Sequence, residues 1–400
     1  MPDATAEIAV VGAGAAGLAA ALAFHRAGFD TVLVGLIEPR ADGRTVALLD
    51  GSVRMLRRLG AWERLRDDAA PLETMRLVDD TGSLFRPPPV AFQASEIGLE
   101  AFGWNVESAR LVRGLGAVLE ETELRRIDAG AEGYSTEEDG AVIALAGGGS
   151  VRAGLVVAAD GWRSVLRSQA GIKVREWSYP QAALTTILAH DRDHREISTE
   201  FHTRHGPFTL VPLPGRRSSL VWVTNPVDAE RLGELDDAGL ALTIERQAHS
   251  ILGAMRIDGP RGLVPMTGLS VDRYGAGRLA LVGEAAHVFP PIGAQGLNLG
   301  LRDVAALVDA VCDAREAGED IGGEGALRRY QRGRDLDVRL RTTAVHALNR
   351  TLLTDFLPAD LLRGAGLLVL DNIRPLRRMV MREGVLPRLS TPRLMRAEAR

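Results

Sequence analysis

The sequence predicts an α/β protein: a Rossmann-like domain, an inserted α+β domain on an antiparallel sheet, and a C-terminal helical segment. Three observations predict it. A glycine turn near the N-terminus joins an apolar strand to an Ala-rich helix, residues 176–265 alternate apolar and polar positions between turns, and residues from 325 onward have helical spacing. Strand–turn–helix units build parallel sheets, whereas alternation indicates antiparallel strands with one covered face.

The opening strand–turn–helix unit has the glycine spacing of a dinucleotide site. An apolar run, Ile8–Val11, leads into a GxGxxG turn and a helix. The candidate cofactor-binding residues of the turn are Gly12, Gly14, Ala16 and Gly17. One glycine turns the chain, one lets the backbone approach a pyrophosphate, and one lets the helix pack on the strand, while amides at the helix N-terminus face the anion. NAD and FAD both satisfy this pattern.

A second parallel strand is predicted over residues 31–37. A carboxylate that binds the ribose belongs near its end, and Glu38 lies 21 positions after Gly17, close to the usual separation of about 20. If the strand ends earlier, Gly35 takes that position instead. Both alternatives stay open from the sequence.

Composition excludes several classes of function. A net charge of −4 gives no bulk basic field, so nucleic acid is not expected as a partner. The single cysteine, Cys312, leaves no intrachain disulfide or Cys-based zinc site, and no metal site is predicted. The first apolar run lacks a basic leader, and no later apolar stretch reaches about 18 residues, so a cytoplasmic protein is expected.

A mid-chain stretch follows a predicted buried strand. Asp160-Gly161 ends that strand, and the DGxxSxxR spacing places Ser164 and Arg167 on one helical face. Taken alone, this pattern also fits a capped helix start. Two arginines elsewhere, Arg44 and Arg110, precede or begin predicted helices, and spacing alone leaves them as cofactor contacts or solvated charges.

A late stretch, GEAAHVFPPIGAQGLN, ends one more predicted strand and opens a helix. Its candidate residues are Gly283, Glu284, His287, Pro291, Gly296, Leu297 and Asn298. Free amides at such a helix N-terminus favour an anionic or electron-rich ligand. A histidine at position 287 suits a proton shuttle, and the alternative is a histidine hydrogen-bonded within the motif.

In this order, the three stretches resemble the FAD-dependent aromatic hydroxylases, also called group A flavoprotein monooxygenases. The pattern of that family is GxGxxG, a mid-chain DG motif and a late GDxxHxxxPxxGxGxN motif. Segments such as TVALLDGSVRMLRRLGAWERL and ALRRYQRGRDLDVRLRTTAVHALNR are most similar to the ubiquinone-biosynthesis hydroxylases. The resemblance covers nearly the whole chain and implies an FAD-binding Rossmann-like domain of the GR2 type.

The resemblance also implies roles for the motif residues. The glycine turn would hold the FAD pyrophosphate, Asp160 would serve FAD and pyridine-nucleotide binding together, and Glu284 would hold the ribityl chain. The residues that would reach the flavin nucleotide are Arg44 and Arg110, and those that would line the isoalloxazine are Pro291, Gly296, Leu297 and Asn298. The catalytic candidates are Pro291 and His287.

Two residues depart from the family pattern. The usual Asp after Gly283 is Glu284, which is one methylene longer, and the usual first Gly of the late GxG is Ala294. A Cβ at Ala294 would crowd the approach of the backbone to a flavin. These departures concern the geometry of the site more than the identity of the cofactor.

The implied reaction is hydroxylation of the aromatic ring of a prenylated phenol or quinol precursor in ubiquinone biosynthesis. It would use O2, a flavin hydroperoxide as oxygen donor and NAD(P)H as a transient reductant. The substrate would lie between the antiparallel sheet and the motif around Pro291. The alternatives are a flavin-dependent reductase or oxidase, a non-catalytic FAD-binding scaffold of a quinone-synthesis complex, and an NAD-dependent dehydrogenase, against which the late motif argues.

The predicted domains are discontinuous. The FAD-binding domain is expected over 1–74, 106–175 and 266–345, the substrate domain over 75–105 and 176–265, and a helical segment over 346–400. From Arg350 onward the chain holds ten arginines against five acids, interleaved with leucines. This segment predicts either peripheral docking on the inner face of the membrane, where a prenylated substrate and a quinone-synthesis complex would lie, or a helical cap on the core.

Overall fold

The computed structural model describes residues 4–82, 88–290, 295–335, 375, 377, 378, 381, 382 and 391–397. The helices are α1 (Ala15–Arg26), α2 (Asp50–Arg58), α3 (Trp62–Leu65), α4 (Ser108–Leu119), α5 (Val165–Gln169), α6 (Pro226–Glu234), α7 (Asp237–Gln247) and α8 (Gln295–Glu316). The first ten strands are β1 (Ala4–Val11), β2 (Thr31–Val34), β3 (Thr45–Leu49), β4 (Ala69–Pro71), β5 (Thr74–Asp79), β6 (Val90–Gln93), β7 (Gly103–Glu107), β8 (Arg125–Ile127), β9 (Ala131–Thr136) and β10 (Ala141–Leu145). The later strands are β11 (Ser150–Ala158), β12 (Val174–His190), β13 (Ile197–Thr203), β14 (Gly206–Leu213), β15 (Arg217–Thr224), β16 (Met255–Ile257), β17 (Gly262–Val271), β18 (Gly275–Ala276), β19 (Leu279–Leu281) and β20 (His287–Val288). Residues 324–335 are also helical.

Parallel strands form the centre of the first sheet, in the order β8-β2-β1-β11-β19. β1 lies in the middle, with Val11 opposite Ala158 on one side and Val34 on the other. The strands β9, β10 and β18 extend this sheet through antiparallel pairs. Because parallel strands end at the same edge, the turns that follow β1, β11 and β19 lie next to one another.

The Ala-rich helix α1 is buried over most of its length. Residues 17 to 24 are all buried, and the helix packs against α4 and α8. Because most side chains of α1 are small, neighbouring elements can approach it closely on several sides. A helix at the surface would instead carry one polar face. The helix that follows the first glycine turn is therefore a central element of the core.

Glycines end two elements earlier than the sequence pattern predicts. β2 stops at Val34 because Gly35 has a φ of +150°, and a Cβ there would lie 2.9 Å from the Ala13 amide nitrogen. Residues 52–65 have the apolar spacing of one helix, but they are divided between α2 and α3, since Gly60 has a φ of +75°. Positive φ values of this kind favour glycine and interrupt regular structure.

The second sheet is largely antiparallel, as the alternating pattern predicts, in the order β20-β17-β12-β15-β14-β13-β5-β6 with β16 beside β12. The helices α6 and α7 cover one face, where Leu232, Leu240 and Ile244 pack with Leu184 and Phe208. β17 is continuous across the predicted domain boundary at residues 265 and 266. The mixed α/β architecture confirms the predicted fold class, and the division into domains stays a prediction.

A small third sheet, β3-β7-β4, joins the two larger ones. The Thr45 hydroxyl on β3 donates to Ser219 Oγ at 2.8 Å, and Asn105 Nδ2 on β7 donates to the Pro212 carbonyl oxygen at 2.9 Å. Both contacts reach the face of the second sheet that α6 and α7 leave uncovered. These contacts hold the third sheet against the second.

The described part of the C-terminal segment packs on the body of the protein. Arg377 is buried, donates to both Glu96 carboxylate oxygens at 2.8 Å and lies over the Phe92 ring. The Arg393 amide donates to Asp309 on α8 at 2.9 Å. Most of residues 346–400 lie outside the described residues, and no described helix is long and apolar enough to span a membrane. The two arginines named here are used in internal contacts.

Candidate functional site

Three turns meet at the carboxyl edge of the first sheet. The Ala159 amide donates to the Val11 carbonyl oxygen at 2.8 Å, and the Val282 amide donates to the Ala158 carbonyl oxygen at 3.0 Å. A Cβ at Gly12 would overlap the Ala159 carbonyl, so the first and second motifs are in contact through their backbones. The sheet therefore brings together motifs that are about 150 and 270 positions apart in the sequence.

The N-terminus of α1 has the features of an anion site. Gly14 is the N-cap, no side chain caps the helix, and the first turn holds no acidic residue. A Cβ at Gly17 would overlap the Gly12 carbonyl oxygen, whereas a Cβ at Gly14 would meet no atom within 4 Å. Two of the glycines are thus required by protein packing, and the third leaves open space in front of free helix amides. This cradle fits the pyrophosphate of FAD.

Asp160 follows β11 and presents a carboxylate that the described residues satisfy only in part. Its Oδ1 is buried without a hydrogen-bond partner among them, while Oδ2 accepts from the Leu166 amide at 3.5 Å. Burial raises the pKa of Asp160, and hydrogen bonds from Ser164 and nearby backbone amides oppose that change. An unsatisfied buried oxygen is costly, so this position fits a ligand hydroxyl that donates to it.

The rest of the DGxxSxxR motif connects the second turn to the third. Ser164 caps α5, because its Oγ accepts from the Arg167 amide at 3.0 Å. The buried Arg167 side chain then donates to the carbonyl oxygens of Ala285, at 2.9 Å, and Trp162, at 2.8 Å. Arg167 is therefore a positioning residue that fixes the distance between these turns.

The third turn exposes one carboxylate beside the edge of the sheet. Gly283 has a φ of +61°, and a Cβ there would lie 3.3 Å from Ala16 Cβ at the start of α1. Glu284 is exposed and forms no hydrogen bond with any described residue, so its carboxylate is free to accept from a ligand. The next residues form β20, in which Val288 pairs with Leu269 of the second sheet.

A buried carboxylate, Asp303, anchors the third turn. Its Oδ2 accepts from the Gly283 amide at 3.0 Å and from His287 Nε2 at 2.6 Å, and its Oδ1 accepts from Arg334 Nε at 2.7 Å. Close by, the Tyr330 hydroxyl donates to the Leu281 carbonyl oxygen at 2.7 Å. The turn, α8 and the helix over 324–335 are thus joined in the core.

The charges around Asp303 determine its ionisation. Burial alone would raise the pKa of this carboxyl, but the charges of His287 and Arg334 and the hydrogen bonds from His287 and Gly283 outweigh it and hold the pKa below its ordinary value. Asp303 is therefore an anion, with cationic and neutral donors around both oxygens.

His287 has little contact with solvent. Its side chain is 1% exposed, and Nε2 faces Asp303. This geometry matches the interpretation of a histidine hydrogen-bonded within the motif and gives it a positioning role. The assignment of His287 as a catalytic residue stays a prediction.

The first turn of α8 is held by Asn298. Its Oδ1 accepts from the Leu49 amide at 2.9 Å and the Ser52 hydroxyl at 2.7 Å, and its Nδ2 donates to the Ala47 carbonyl oxygen at 2.7 Å. Beside it, Gly296 is exposed and Leu297 is half-buried, so they are accessible for the predicted contact with the isoalloxazine. Pro291 and Ala294, the remaining residues of this prediction, lie outside the described residues.

Three predicted cofactor contacts form ion pairs with other residues of the chain. Glu38 is exposed four positions beyond the end of β2 and pairs with Arg40 at 3.0 Å, which favours the alternative with Gly35 directly after the strand. The guanidinium groups of Arg44 and Arg110 pair with Asp42 at 2.7 Å and Asp68 at 2.9 Å. Their roles at the cofactor stay predictions.

An apolar wall on the second sheet lies beside the third turn. The residues that form it are Trp177, Tyr179, Ala183, Val221, Val223 and Met266. Trp177 Nε1 donates to the Tyr179 hydroxyl at 2.8 Å, and a Cβ at Gly268 would overlap the Trp177 ring, so the indole lies flat against that glycine. The neighbouring residue, Leu269, pairs with β20. The wall is therefore adjacent to the chain that leaves the third turn.

Sequence reasoning alone did not identify Asp303, Arg334 and Tyr330 as parts of this site. The available signal was the charged pair Arg302-Asp303 within an otherwise mostly apolar part of a predicted helix. Such an acid is rarely buried unless it is paired. Its partner, Arg334, is 31 positions away, and nothing in the sequence distinguishes it from the many other arginines.

Comparison with known proteins agrees with this geometry. The family model described as "FAD binding domain" matches residues 5–336. The chain is 34% identical to the ubiquinone hydroxylase UbiL of Rhodospirillum rubrum, over 96% of this chain and 90% of that protein. It is 30% identical to the 3-demethoxyubiquinol 3-hydroxylase of Escherichia coli, over 96% and 99%. The crystal structure of the p-nitrophenol 4-monooxygenase PnpA from Pseudomonas putida superposes with a TM-score of 0.77 at 18% identity, covering 94% of this chain and 97% of that one.

Gly14 and Gly17 of the first turn should respond differently to substitution by alanine. In Gly17→Ala the methyl group would overlap the Gly12 carbonyl oxygen, so we expect a loss of about 1–3 kcal/mol in folding stability. In Gly14→Ala the methyl group would meet no protein atom but would occupy the space before the α1 amides. We therefore expect a stable fold with FAD affinity reduced about tenfold or more, a change of about 1.4 kcal/mol.

Thermal unfolding of the apoprotein and FAD titration by flavin fluorescence measure the two effects. Gly233→Ala is the control, because its Cβ would also meet no atom and it lies on the exposed side of α6. Wild-type FAD affinity in Gly14→Ala would contradict the assignment of this turn.

Replacing Asp303 by Asn would remove the charge that faces His287 and Arg334. Breaking a buried pair leaves the other charge uncompensated, so we expect a loss of about 3–5 kcal/mol in the free energy of unfolding. Because the folded-state pKa of Asp303 lies below its ordinary value, the stabilisation is complete above the ordinary Asp pKa and is lost as the pH falls through the folded-state value. The difference between wild type and variant should therefore shrink on acidification.

Chemical unfolding at several pH values measures that difference. The matched control is Asp313→Asn on the same helix, where the carboxylate is 41% exposed and pairs with Arg393; a loss below about 1 kcal/mol is expected there. Equal losses in the two variants would show that Asp303 is not the anchor of the turn.

Proposed function

Because the chain belongs to the FAD binding domain family, we propose that it is an FAD-dependent monooxygenase that hydroxylates the aromatic ring of a prenylated phenol or quinol in ubiquinone biosynthesis. The observation that carries the proposal is the meeting of three turns at one sheet edge, with the third turn continuing into the sheet that bears the apolar wall. Cofactor and substrate positions are thereby adjacent. The two relatives whose printed names are ubiquinone hydroxylase and 3-demethoxyubiquinol 3-hydroxylase support the substrate class.

The cofactor would be held along the edge of the sheet. The amides of α1 behind Gly14 would bind the pyrophosphate, because no acidic side chain occupies that position. Asp160 would accept from a hydroxyl of the nucleotide, and Glu284 would accept from the ribityl chain. The ring system would then lie near Gly296 and Leu297, beside β20.

When bound and reduced, the flavin supplies the activation of O2 and the transfer of one oxygen atom to the ring. The residues of the protein supply position and a dry surface. Asp303 and Arg167 hold the third turn at a fixed distance from the first and second. The wall around Trp177 and Met266 would pack against the aromatic ring and exclude water from it.

The reductant, NAD(P)H, also needs a place to bind. The described residues contain one strand–glycine turn–helix unit of the dinucleotide type, formed by β1 and α1. We therefore assign NAD(P)H the role of a transient donor that approaches the edge near Asp160, as the family resemblance implies.

A prenylated substrate also requires contact with a lipid phase. We place the reaction at the cytoplasmic face of the membrane, since an apolar chain partitions into lipid. Arg377 and Arg393 are used in internal contacts, so membrane contact would fall to other residues. Val264, an exposed apolar residue that pairs with Ala183 of the wall, fits such a contact. In the turnover assay below, substrate supplied in vesicles should react at least as fast as substrate in detergent, and a slower rate would oppose this placement.

Product analysis under ¹⁸O₂ tests the proposed activity. The flavin-loaded protein, NADH or NADPH and a short-chain prenylphenol should give a ring-hydroxylated product with one ¹⁸O atom per molecule. Oxidation of the donor without this product would identify a reductase or oxidase. Absence of substrate-dependent turnover, with the flavin bound, would favour a scaffold and overturn the proposal.

The apolar wall gives a second test of the same site. Trp177→Leu removes the ring that covers Gly268 and should raise the KM for the prenylphenol about tenfold, the effect of losing one aromatic contact of roughly 1.4 kcal/mol. The control is Trp222→Leu, because Trp222 lies on the opposite face of the sheet and packs against Phe208. It should lower the melting temperature and leave the KM unchanged. The same KM change in both variants would argue against the wall as the substrate surface.

A further inference from the structure

A separate cavity of about 390 Å³ lies on the far side of the second sheet. It is bounded by the end of β12, the turn over 191–196, and the chain that follows α7. Ser218 and Leu210 line it, whereas the neighbouring Ser219 binds Thr45 on the other face. Successive strand residues face opposite sides of a sheet. The cavity is therefore separated by the sheet from the proposed substrate surface.

Four arginines and two acids surround this cavity. The arginines are Arg76, Arg192, Arg195 and Arg216, and the acids are Asp191 and Asp193. These charges sum to +2. Arg192 donates to the Ser250 carbonyl oxygen at 3.0 Å, but the guanidinium groups of the other three form no ion pair or hydrogen bond with any described residue. Three guanidinium groups therefore line one cavity without a hydrogen-bond acceptor among the described residues.

The position of Arg76 adds to this argument. It is half-buried on β5, where its neighbour across the parallel pair is Thr199, itself a cavity residue. Part of the cavity lining is apolar and consists of Ile197, Leu210, Ile251 and Leu252, beside the polar residues His194, Thr199 and Ser218. A half-buried guanidinium above an apolar surface is less well hydrated than one at the rim, so it gains more from an anionic partner.

The turn that carries Arg195 is held in place by its own contacts. Asp193 Oδ1 accepts from the Arg195 amide at 2.7 Å, and the buried His194 ring donates from Nε2 to the Leu213 carbonyl oxygen at 3.0 Å and accepts at Nδ1 from the Glu196 amide at 3.1 Å. Since both ring nitrogens are used, Asp193, His194 and Glu196 do not form a cation site, although their ligand atoms lie within 4.8 Å of one another. The turn presents its arginine without rearrangement.

We propose that this cavity binds a phosphate monoester, with the phosphate among Arg76, Arg195 and Arg216 and the organic part on the apolar surface. A phosphate monoester carries up to two negative charges, which match the +2 excess, and its oxygens match the planar fork of guanidinium. The source is either a soluble metabolite or the headgroup of a lipid such as phosphatidic acid. This site does not depend on the proposed hydroxylation, because the two surfaces lie on opposite faces of the sheet.

Calorimetric titration of the flavin-loaded protein tests the proposal with three probes. They are glycerol 3-phosphate, phosphatidylcholine vesicles with phosphatidic acid, and the same vesicles without it. Arg76→Gln and Arg216→Gln should each weaken binding at least tenfold. The control is Arg231→Gln, which removes the same charge from an exposed position on α6 and should bind as wild type does. Arg76→Lys keeps the charge but loses the planar fork of donors, so its affinity should be intermediate. Such a value would also show that weak binding by Arg76→Gln does not come from misfolding.

Each outcome decides the question. Binding of glycerol 3-phosphate that depends on Arg76 supports a soluble ligand, and binding only to vesicles with phosphatidic acid, with the same dependence, supports a lipid headgroup. No binding of any probe, equal binding to the two kinds of vesicle with none to glycerol 3-phosphate, or binding unchanged in both Gln variants would overturn the proposal.

Discussion

The buried carboxylate of Asp303 is the interaction on which the arrangement of the site depends. It takes hydrogen bonds from the Gly283 amide, from His287 and from Arg334, and so joins a turn, a short strand and two helices. Buried charges of this kind add little net stability compared with apolar packing, but they tolerate few alternative geometries. If Glu284 holds the cofactor as proposed, its turn gains from such a restraint, because a small displacement at a reacting centre is costly.

The parallel sheet supplies the other constraint. Its strands bring residues that are far apart in sequence to one edge, and backbone contact between Gly12 and Ala159 leaves no room for side chains between them. Open space remains beside Gly14, Gly161 and Gly296, where an added Cβ would meet no atom within 4 Å. On the opposite side of the third turn, β20 joins the second sheet, so a cofactor on the edge and a ring on the Trp177 wall would lie on adjoining surfaces.

Much of the fold and of the candidate site could be predicted from the sequence, because the patterns that indicate them are local. The glycine spacing, the DG turn and the late motif each reflect a backbone requirement within about twenty residues, and the alternating pattern of 176–265 reflects one covered face. The limits of elements were less predictable, because the glycines that end β2 and divide α2 from α3 act through contacts with Ala13 and Arg26. The partners of Asp303 were not predictable at all, since Arg334 is one of many arginines and only the folded core selects it. The sequence likewise did not show that Arg44 and Arg110 pair with Asp42 and Asp68, and their contacts with a cofactor stay predictions.

A crystal structure of the protein with FAD tests the central claim most directly. We expect the pyrophosphate in front of Gly14 and the α1 amides, a nucleotide or ribityl hydroxyl donating to Asp160 Oδ1, and the flavin ring between the start of α8 and the Trp177 wall. The hydrogen bonds of Asp303 to Gly283, His287 and Arg334 should be unchanged in that complex. A flavin bound elsewhere, or a third turn that leaves Asp303 when FAD binds, would contradict it.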